Sequence, residues 1–280
     1  RPRPPTTDPR GQTVSFTMVA TDFDDTLVPI GALLSERNRA ALDRVRAKGI
    51  TTVIASGRTS HGLFTQLDRN QVDTQGLYLI GYNGALACQA WDAKPLFSHQ
   101  LDVELVRRAA QVASNFDVAL MIPEGAHVFT NQPDHFAVVF EAESNDVDIV
   151  RLDSLAELPV VPHKMLIGGE PDELVRAHRE LRARLGEEAE VVMSASFLME
   201  FTAKGVHKGE ALVGLCRTLD VPLEQVVVIG DNHNDAQMFG VGGYSVAVAN
   251  AVPELIALAD RVTGASADDG VAAALDELFA

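Results

Sequence analysis

The chain has 280 residues, 46% hydrophobic and 22% charged, with 39 acidic side chains against 23 basic ones and a formal net charge of −16. That length supports a large core and exceeds the common size of one domain, while the acidic balance excludes a nucleic-acid surface, which needs clustered Lys and Arg. No apolar run reaches the roughly 18 residues of a membrane span, and Cys88 and Cys216 lack the spacing of a zinc site or a disulfide framework.

Residues 1–13 are rich in Pro and Arg without an apolar segment, and read as a disordered tail, not a signal peptide. A reducing cytoplasm is the expected setting. An apolar strand follows from Val14 and closes on Asp22-Phe23-Asp24-Asp25-Thr26, three carboxylates within four residues. Such a cluster is either an acidic surface turn or a site where a divalent cation offsets the mutual repulsion.

Ser35 can cap a helix ending near Lys48-Gly49. A β-branched run over 50–55 predicts a strand buried on both faces, and it ends in Ser56-Gly57-Arg58. A second helix opens at Thr59-Ser60, and a third strand over 77–80 runs into Tyr82-Asn83-Gly84. This β-α-β-α-β alternation predicts a parallel sheet with right-handed crossovers.

The rhythm then changes. Runs over 86–91 and 96–101 predict a hairpin, 103–116 a helix, and 118–122 and 127–130 two short strands. Residues 131–162 resist assignment. A strand from His163, a helix over 171–185 with Pro at its start, and strands over 191–193 and 197–201 complete an α+β module. From Lys208 the first rhythm resumes: a helix over 209–219, a strand over 226–229, then Gly230-Asp231-Asn232-His233-Asn234-Asp235. A short helix, a strand over 244–248, a helix over 253–259, an edge strand over 261–263 and a closing helix over 270–278 follow.

The fold expected is therefore α/β, a doubly wound parallel sheet (residues 14–84 and 197–280) interrupted by an inserted α+β domain (residues 85–196). Four polar sites fall at strand ends or helix starts: Asp22 with Asp24, Ser56-Gly57-Arg58, Lys208, and Asp231 with Asn234-Asp235. Parallel strands present their carboxyl ends on one edge, where open α/β sheets bind ligands. Oxygen-rich ligation suits Mg²⁺, and a hydroxyl and an ammonium suit a phosphoryl group in transfer.

These four motifs resemble those of the haloacid dehalogenase superfamily, and the position of the insert, with Ser56-Gly57-Arg58, Asn83-Gly84-Ala85 and Gly230-Asp231-Asn232-His233-Asn234-Asp235, resembles its Cof-like branch with an α/β cap. The similarity extends from about Val14 to the end of the chain and is weakest in the cap. The resemblance implies a Rossmann-like core and a Mg²⁺-dependent phosphatase acting on a small phosphorylated metabolite such as a sugar phosphate. It implies Asp22 as nucleophile and Asp24 as acid and base; Ser56, Gly57, Lys208 and Asn234 on the phosphate; and Arg58 and Asn83 beside the leaving group. It implies Asp22, the Asp24 carbonyl and Asp231 on the metal, with Asp235 as an outer support. Asp24 favours ester hydrolysis over the superfamily's ATPase and dehalogenase chemistries, and Asp25, where many relatives carry Gly, is expected to serve the turn.

A phosphomutase on the same scaffold and a non-catalytic ligand-binding or regulatory module are the alternatives. Lys204 reads as a surface residue, His233 as a loop residue and the two cysteines as core. Glu124, His127, His163 and Lys164 could reach a substrate's organic part, against a structural or solvated role for each. The partners expected are a small phosphorylated metabolite, with no nucleic acid and no membrane, for a monomer or small homo-oligomer.

Overall fold

In the computed structural model, residues 6–7, 13–154 and 157–280 are described. Of the expected tail, 1–5 and 8–12 lie outside the described residues, and β1 (Thr6–Thr7) pairs antiparallel with β2 (Thr13–Val14). Then come β3 (Met18–Asp22), α1 (Glu36–Ala47), β4 (Thr51–Ala55), α2 (Ser60–Arg69), β5 (Leu77–Gly81), and the hairpin β6 (Leu86–Gln89) and β7 (Pro95–Ser98). The chain continues through α3 (Val103–Ala113), β8 (Val118–Glu124), β9 (His127–Thr130), α4 (Phe136–Asn145), β10 (Asp148–Arg151), β11 (Lys164–Gly169), α5 (Pro171–Leu185), β12 (Ala189–Ala195) and β13 (Leu198–Ala203). It closes with α6 (Lys208–Leu219), β14 (Val226–Gly230), α7 (Ala236–Val241), β15 (Tyr244–Ala247), α8 (Pro253–Ile256), β16 (Arg261–Val262) and α9 (Gly270–Leu278).

The chain divides into two compact units. The first, residues 1–57, 66–97 and 207–280, is built on a sheet of order β16-β15-β14-β3-β4-β5-β6-β7. The five pairings from β16 to β5 are parallel and β6 turns antiparallel to β5. Every residue of β3 and β14 is buried, as expected of near-continuous apolar strands covered on both faces. From β3 the connections step outward through β4 and β5; from β14, on its other side, they step the opposite way through β15 and β16. The β3/β14 boundary is thus the topological switch point, where the carboxyl ends of open α/β sheets form a crevice.

Local chemistry explains the flanking helices. Ser35 caps α1 by accepting from the Asn38 backbone N–H at 3.0 Å. Asn38, buried among apolar groups, is satisfied at both ends: its Nδ2 donates to the Leu27 carbonyl at 3.0 Å and its Oδ1 accepts from the Ala272 N–H of α9 at 2.9 Å. The two thiols are buried and free, and burial pushes each to about 11, first among the causes for both.

The second unit, residues 58–65 and 98–206, is built on a sheet of order β10-β9-β8-β11-β13-β12. Helices α3 and α5 pack their apolar stripes into its larger core around Val106, Ala109, Leu174 and Leu181. A smaller core gathers Ala137 and Val138 of α4 against Met121 and Leu166.

Two boundaries shift relative to expectation. The hairpin β6–β7 extends the first unit's sheet instead of opening the insert at 85, because β6 continues the ladder from β5. Residues 198–201 of the run over 197–201 lie in β13, which pairs with β11 and β12 of the second unit's sheet instead of restarting the core at 197. The unassigned stretch 131–162 contains α4 and β10. Its periodicity is inverted there, since Phe136 and Phe140 are exposed while Glu141 and Asn145 are buried. No helix among the described residues is long and apolar enough to cross a membrane.

Candidate active site

Asp22 ends β3 and Asp231 follows β14, so register alone sets the two carboxylates side by side at the switch point, with Ile229 opposite Thr21. The third group arrives from α6. Lys208, 1% exposed, opens that helix behind the His207 cap, whose Nδ1 accepts from the Glu210 N–H at 3.1 Å. Its Nζ donates to Asp22 Oδ1 at 2.5 Å and to Asp235 Oδ1 at 2.7 Å.

Asp235 is fully buried and fully engaged. Besides Lys208, its Oδ2 accepts from the backbone N–H groups of Asp231 at 3.0 Å and Asn232 at 3.1 Å. Gly230 permits this approach, because a Cβ there would stand 2.6 Å from Asp235 Oδ2. Asp235 is thus the strut that joins the loop after β14 to Lys208.

Asp22 is half-engaged. Oδ1 takes the lysine, but Oδ2 is buried with no hydrogen-bond partner among the described residues, a costly state for an ionised oxygen. Burial raises the Asp22 pKa well above the usual carboxylate range; Lys208 pulls against this, and Asp235, Asp231 and Asp24 add to it. Burial likewise raises Asp231 to about 6, with Asp235 adding and the Thr26 hydroxyl and Lys208 opposing. Lys208 itself is pushed down by burial, yet Asp22 and Asp235 outweigh that and hold it above its ordinary value, so it is an ammonium. Oxygens of Asp22, Asp231 and Asp235 lie within 4.8 Å of one another. An unpaired buried carboxylate oxygen beside a second carboxylate that resists ionisation fits a divalent cation bound by hard oxygen ligands.

The remaining motif residues form a second strip in the same unit. Ser56 Oγ donates to Asp24 Oδ2 at 3.3 Å, and its backbone N–H donates to the Ile80 carbonyl at 2.8 Å. The Asn83 N–H donates to the Ser56 carbonyl at 3.0 Å, and Asn83 Oδ1 accepts from Asn234 Nδ2 at 3.1 Å. Gly57 lies against the Asn83 amide, 3.3 Å from where its Cβ would be. Buried Tyr82 and its neighbour Asn83 both take left-handed backbone, φ 52° and 54°, which costs of order 1–3 kcal/mol each. Gly84 follows at φ 112°, where a Cβ would stand 2.5 Å from the His207 carbonyl oxygen. This strained turn packs directly on the start of the helix that carries Lys208.

Arg58 is the exception among the predicted site residues. It belongs to the second unit, where its guanidinium donates to the Ser144 carbonyl in the last turn of α4. Asp25 serves the turn: it sits at φ 60°, its N–H donates to the Val28 carbonyl at 2.8 Å and its own carbonyl accepts from Asn250 Nδ2 at 2.8 Å. His233 is exposed and Lys204 pairs with Glu190 at 3.4 Å on the surface. Thr26 is the residue that sequence reasoning missed. It is fully buried and its Oγ1 donates to Asp231 Oδ1 at 2.9 Å, across 205 positions of chain. The signal the sequence offers is a hydroxyl residue four positions after Asp22, closing the acidic run.

The profile of the haloacid dehalogenase-like hydrolases matches residues 19–275. The chain is 29% identical over 243 residues to a Yersinia pestis protein named HMP-PP phosphatase, an alignment covering 86% of each chain. It is 27% identical to a haloacid dehalogenase-like hydrolase from Bacteroides thetaiotaomicron of known crystal structure, with a TM-score of 0.88 over 95% of this chain and 100% of that one. A Thermotoga maritima protein of known structure, 25% identical, superposes with a TM-score of 0.82 over 94% of this chain and 97% of its own.

Proposed function

Since the chain belongs to the haloacid dehalogenase-like hydrolases, we propose that it is a Mg²⁺-dependent phosphatase that hydrolyses small phosphomonoesters, sugar phosphates or related metabolites, through an aspartyl-phosphate. The observation that carries the reading is Asp22: buried, held by Lys208 through one oxygen and left with the other unpartnered among the described residues.

A carboxylate oxygen of Asp22 attacks the phosphorus while the bond to the leaving oxygen breaks. Asp24 gives its proton to that oxygen, then takes one from the water that hydrolyses the phosphoryl-aspartate, releasing phosphate and restoring Asp22. The Ser56 hydroxyl that touches Asp24, the Asn234 amide beside Asn83, and the Lys208 ammonium hold the phosphoryl oxygens. Gly57 and Asn83 line the entrance beside the leaving group. Asp22, Asp231 and the Asp24 carbonyl would hold Mg²⁺, with Asp235 supporting from behind; when bound, the ion supplies positive charge to the transferring phosphoryl group.

In this reading the first unit, residues 1–57, 66–97 and 207–280, carries the chemistry. Free buried thiols suit a cytoplasmic setting. The name of the Yersinia relative supports phosphatase chemistry, and its substrate is a first compound to assay. Asp22→Asn is expected to abolish turnover of p-nitrophenyl phosphate; retained turnover would rule the mechanism out. Solvent ¹⁸O entering the released phosphate, without an isomerised product, separates hydrolysis from a phosphomutase, and turnover of any phosphomonoester removes the purely binding alternative.

A further inference from the structure

The second unit contains a hydrogen-bonded hydroxyl, imidazole and carboxylate that the phosphatase reading does not use. β8 and β11 pair antiparallel with Leu166 opposite Met121. Carrying that register to the end of β8 sets Glu124 across from His163. The pairing is tight: Glu124 Oε2 meets His163 Nδ1 at 2.8 Å and also accepts the His163 backbone N–H at 3.1 Å. On the far side of the ring, His163 Nε2 meets Ser98 Oγ at 2.9 Å.

Two hydrogen bonds to the neighbouring backbone hold the serine there. Just after Ser98, the Leu101 N–H donates to the Pro162 carbonyl at 2.7 Å and Gln100 Nε2 donates to the Val161 carbonyl at 3.2 Å, tying 98–101 alongside 161–163. His163 is buried and Glu124 half-buried, while Ser98 is exposed and open to solution.

The protons follow from the donors available. An ionised carboxylate only accepts, so Nδ1 carries the imidazole proton and Nε2 presents its lone pair to the serine hydroxyl. A nucleophile within hydrogen-bond reach of a base, itself oriented by a third group, is the constellation of covalent hydroxyl catalysis, recognised by geometry and not by sequence order. Two oriented bonds on Glu124 and a shielded ring also restrict the imidazole to one face, which a lone surface His–Ser contact lacks.

We infer that Ser98, His163 and Glu124 form a second nucleophilic centre that takes small activated carboxylic esters. Ser98 Oγ bonds to the carbonyl carbon and the ester C–O bond breaks. The hydroxyl proton passes to His163 Nε2 and on to the leaving oxygen. Water then attacks the acyl-serine, its proton moves through His163 to Ser98, and the carboxylic acid departs. Glu124 is the positioning residue: it holds the tautomer and stabilises the imidazolium.

The test uses the full-length protein and p-nitrophenyl acetate, read by the burst of p-nitrophenolate and by peptide mass mapping of the acetyl group. The expected result is an acetyl on Ser98, absent in Ser98→Ala and still present in Asp22→Asn. Glu124→Gln is expected to slow acylation by about 10²–10⁴-fold, the scale of losing the orienting carboxylate. His163→Ala is expected to lose the burst and regain it with added imidazole. Thermal melts of each variant establish folding, and if His163→Ala does not fold, Glu124→Gln and the site of acetylation decide. Acetylation elsewhere than Ser98, none at all, or an unchanged rate in folded Glu124→Gln overturns the inference.

Discussion

Lys208 reaches Asp22 from 186 positions away, and the 2.5 Å contact between Nζ and Oδ1 is made wholly out of solvent, with the lysine side chain 0% and the aspartate side chain 6% exposed. An ion pair so placed is not a large source of net stability, because the desolvation of both groups offsets their attraction. Its loss is another matter, since Asp22 and Asp235 would remain buried without their cation.

Lys208→Met is therefore expected to destabilise the metal-free protein by about 3–5 kcal/mol, the cost of breaking a buried pair from one side. Phosphatase turnover is expected to fall at least about a hundredfold, the scale of removing one preorganised charge from a transferring group. Urea unfolding and steady-state kinetics on p-nitrophenyl phosphate check both. Added Mg²⁺ is expected to recover part of the stability and little of the rate.

The second prediction concerns pH. The Asp231 carboxyl binds its proton more tightly folded than unfolded, with burial raising it to about 6. Its contribution to stability is therefore fully present below the ordinary carboxylate range and is lost as pH rises through about 6. Asp22, raised for the same reason, acts in the same direction. A shift of this size is worth on the order of 3 kcal/mol. Thermal melts of chelator-treated protein are expected to fall across that window, and Mg²⁺, which needs ionised ligands, to reverse the slope. A melting temperature that climbs with pH through this window without metal would contradict the assignment.

Thr26→Val removes the hydroxyl that donates to Asp231 Oδ1 at 2.9 Å while keeping the shape. The expected cost is about 1–3 kcal/mol for the unsatisfied carboxylate oxygen. The same change takes away a group that lowers the Asp231 pKa. Mg²⁺ affinity near neutral pH is expected to weaken several-fold, with kcat at saturating metal nearly unchanged, as calorimetric titration and kinetics would report.

Asp25→Gly tests the turn. At φ 60° glycine is at ease, and the side chain accepts a long 3.4 Å bond from Ser266 Oγ. Stability is expected to change by less than about 1 kcal/mol, and phosphatase activity to persist. Gly84→Ala is expected to do the opposite, because its Cβ would collide with the His207 carbonyl and shift the start of α6. A loss of at least about 2 kcal/mol and of most activity follows for a strained, overpacked site.

Much of the first unit was legible in the residues themselves. Buried parallel strands are continuous apolar runs, so 50–55 and 226–229 announced β4 and β14, and Ser35 and Pro171 marked the starts of their helices through capping and ring geometry. The polar residues at strand ends followed from the same reasoning, because parallel pairing forces those ends onto one edge. The insert was harder. Antiparallel strands carry weaker patterns, and α4 hides two polar residues beneath an exposed aromatic face, so 131–162 offered no readable period.

What sequence alone determined, then, is local and one-dimensional: which segments are strands or helices, which motifs sit at their ends, and that three carboxylates between Asp22 and Asp25 need separate fates. Tertiary structure decided the fates. It turned Asp25 into a left-handed corner, tied Asp24 to Ser56, and gave Asp22 one lysine and one oxygen without a partner among the described residues. It bound Thr26 to Asp231 and Ser98 to His163, and moved the hairpin into the first sheet. The physical reason is common to all of these. A hydrogen bond or an ion pair between residues far apart in the chain is selected by how strands pair and helices pack, and no local propensity encodes that distance.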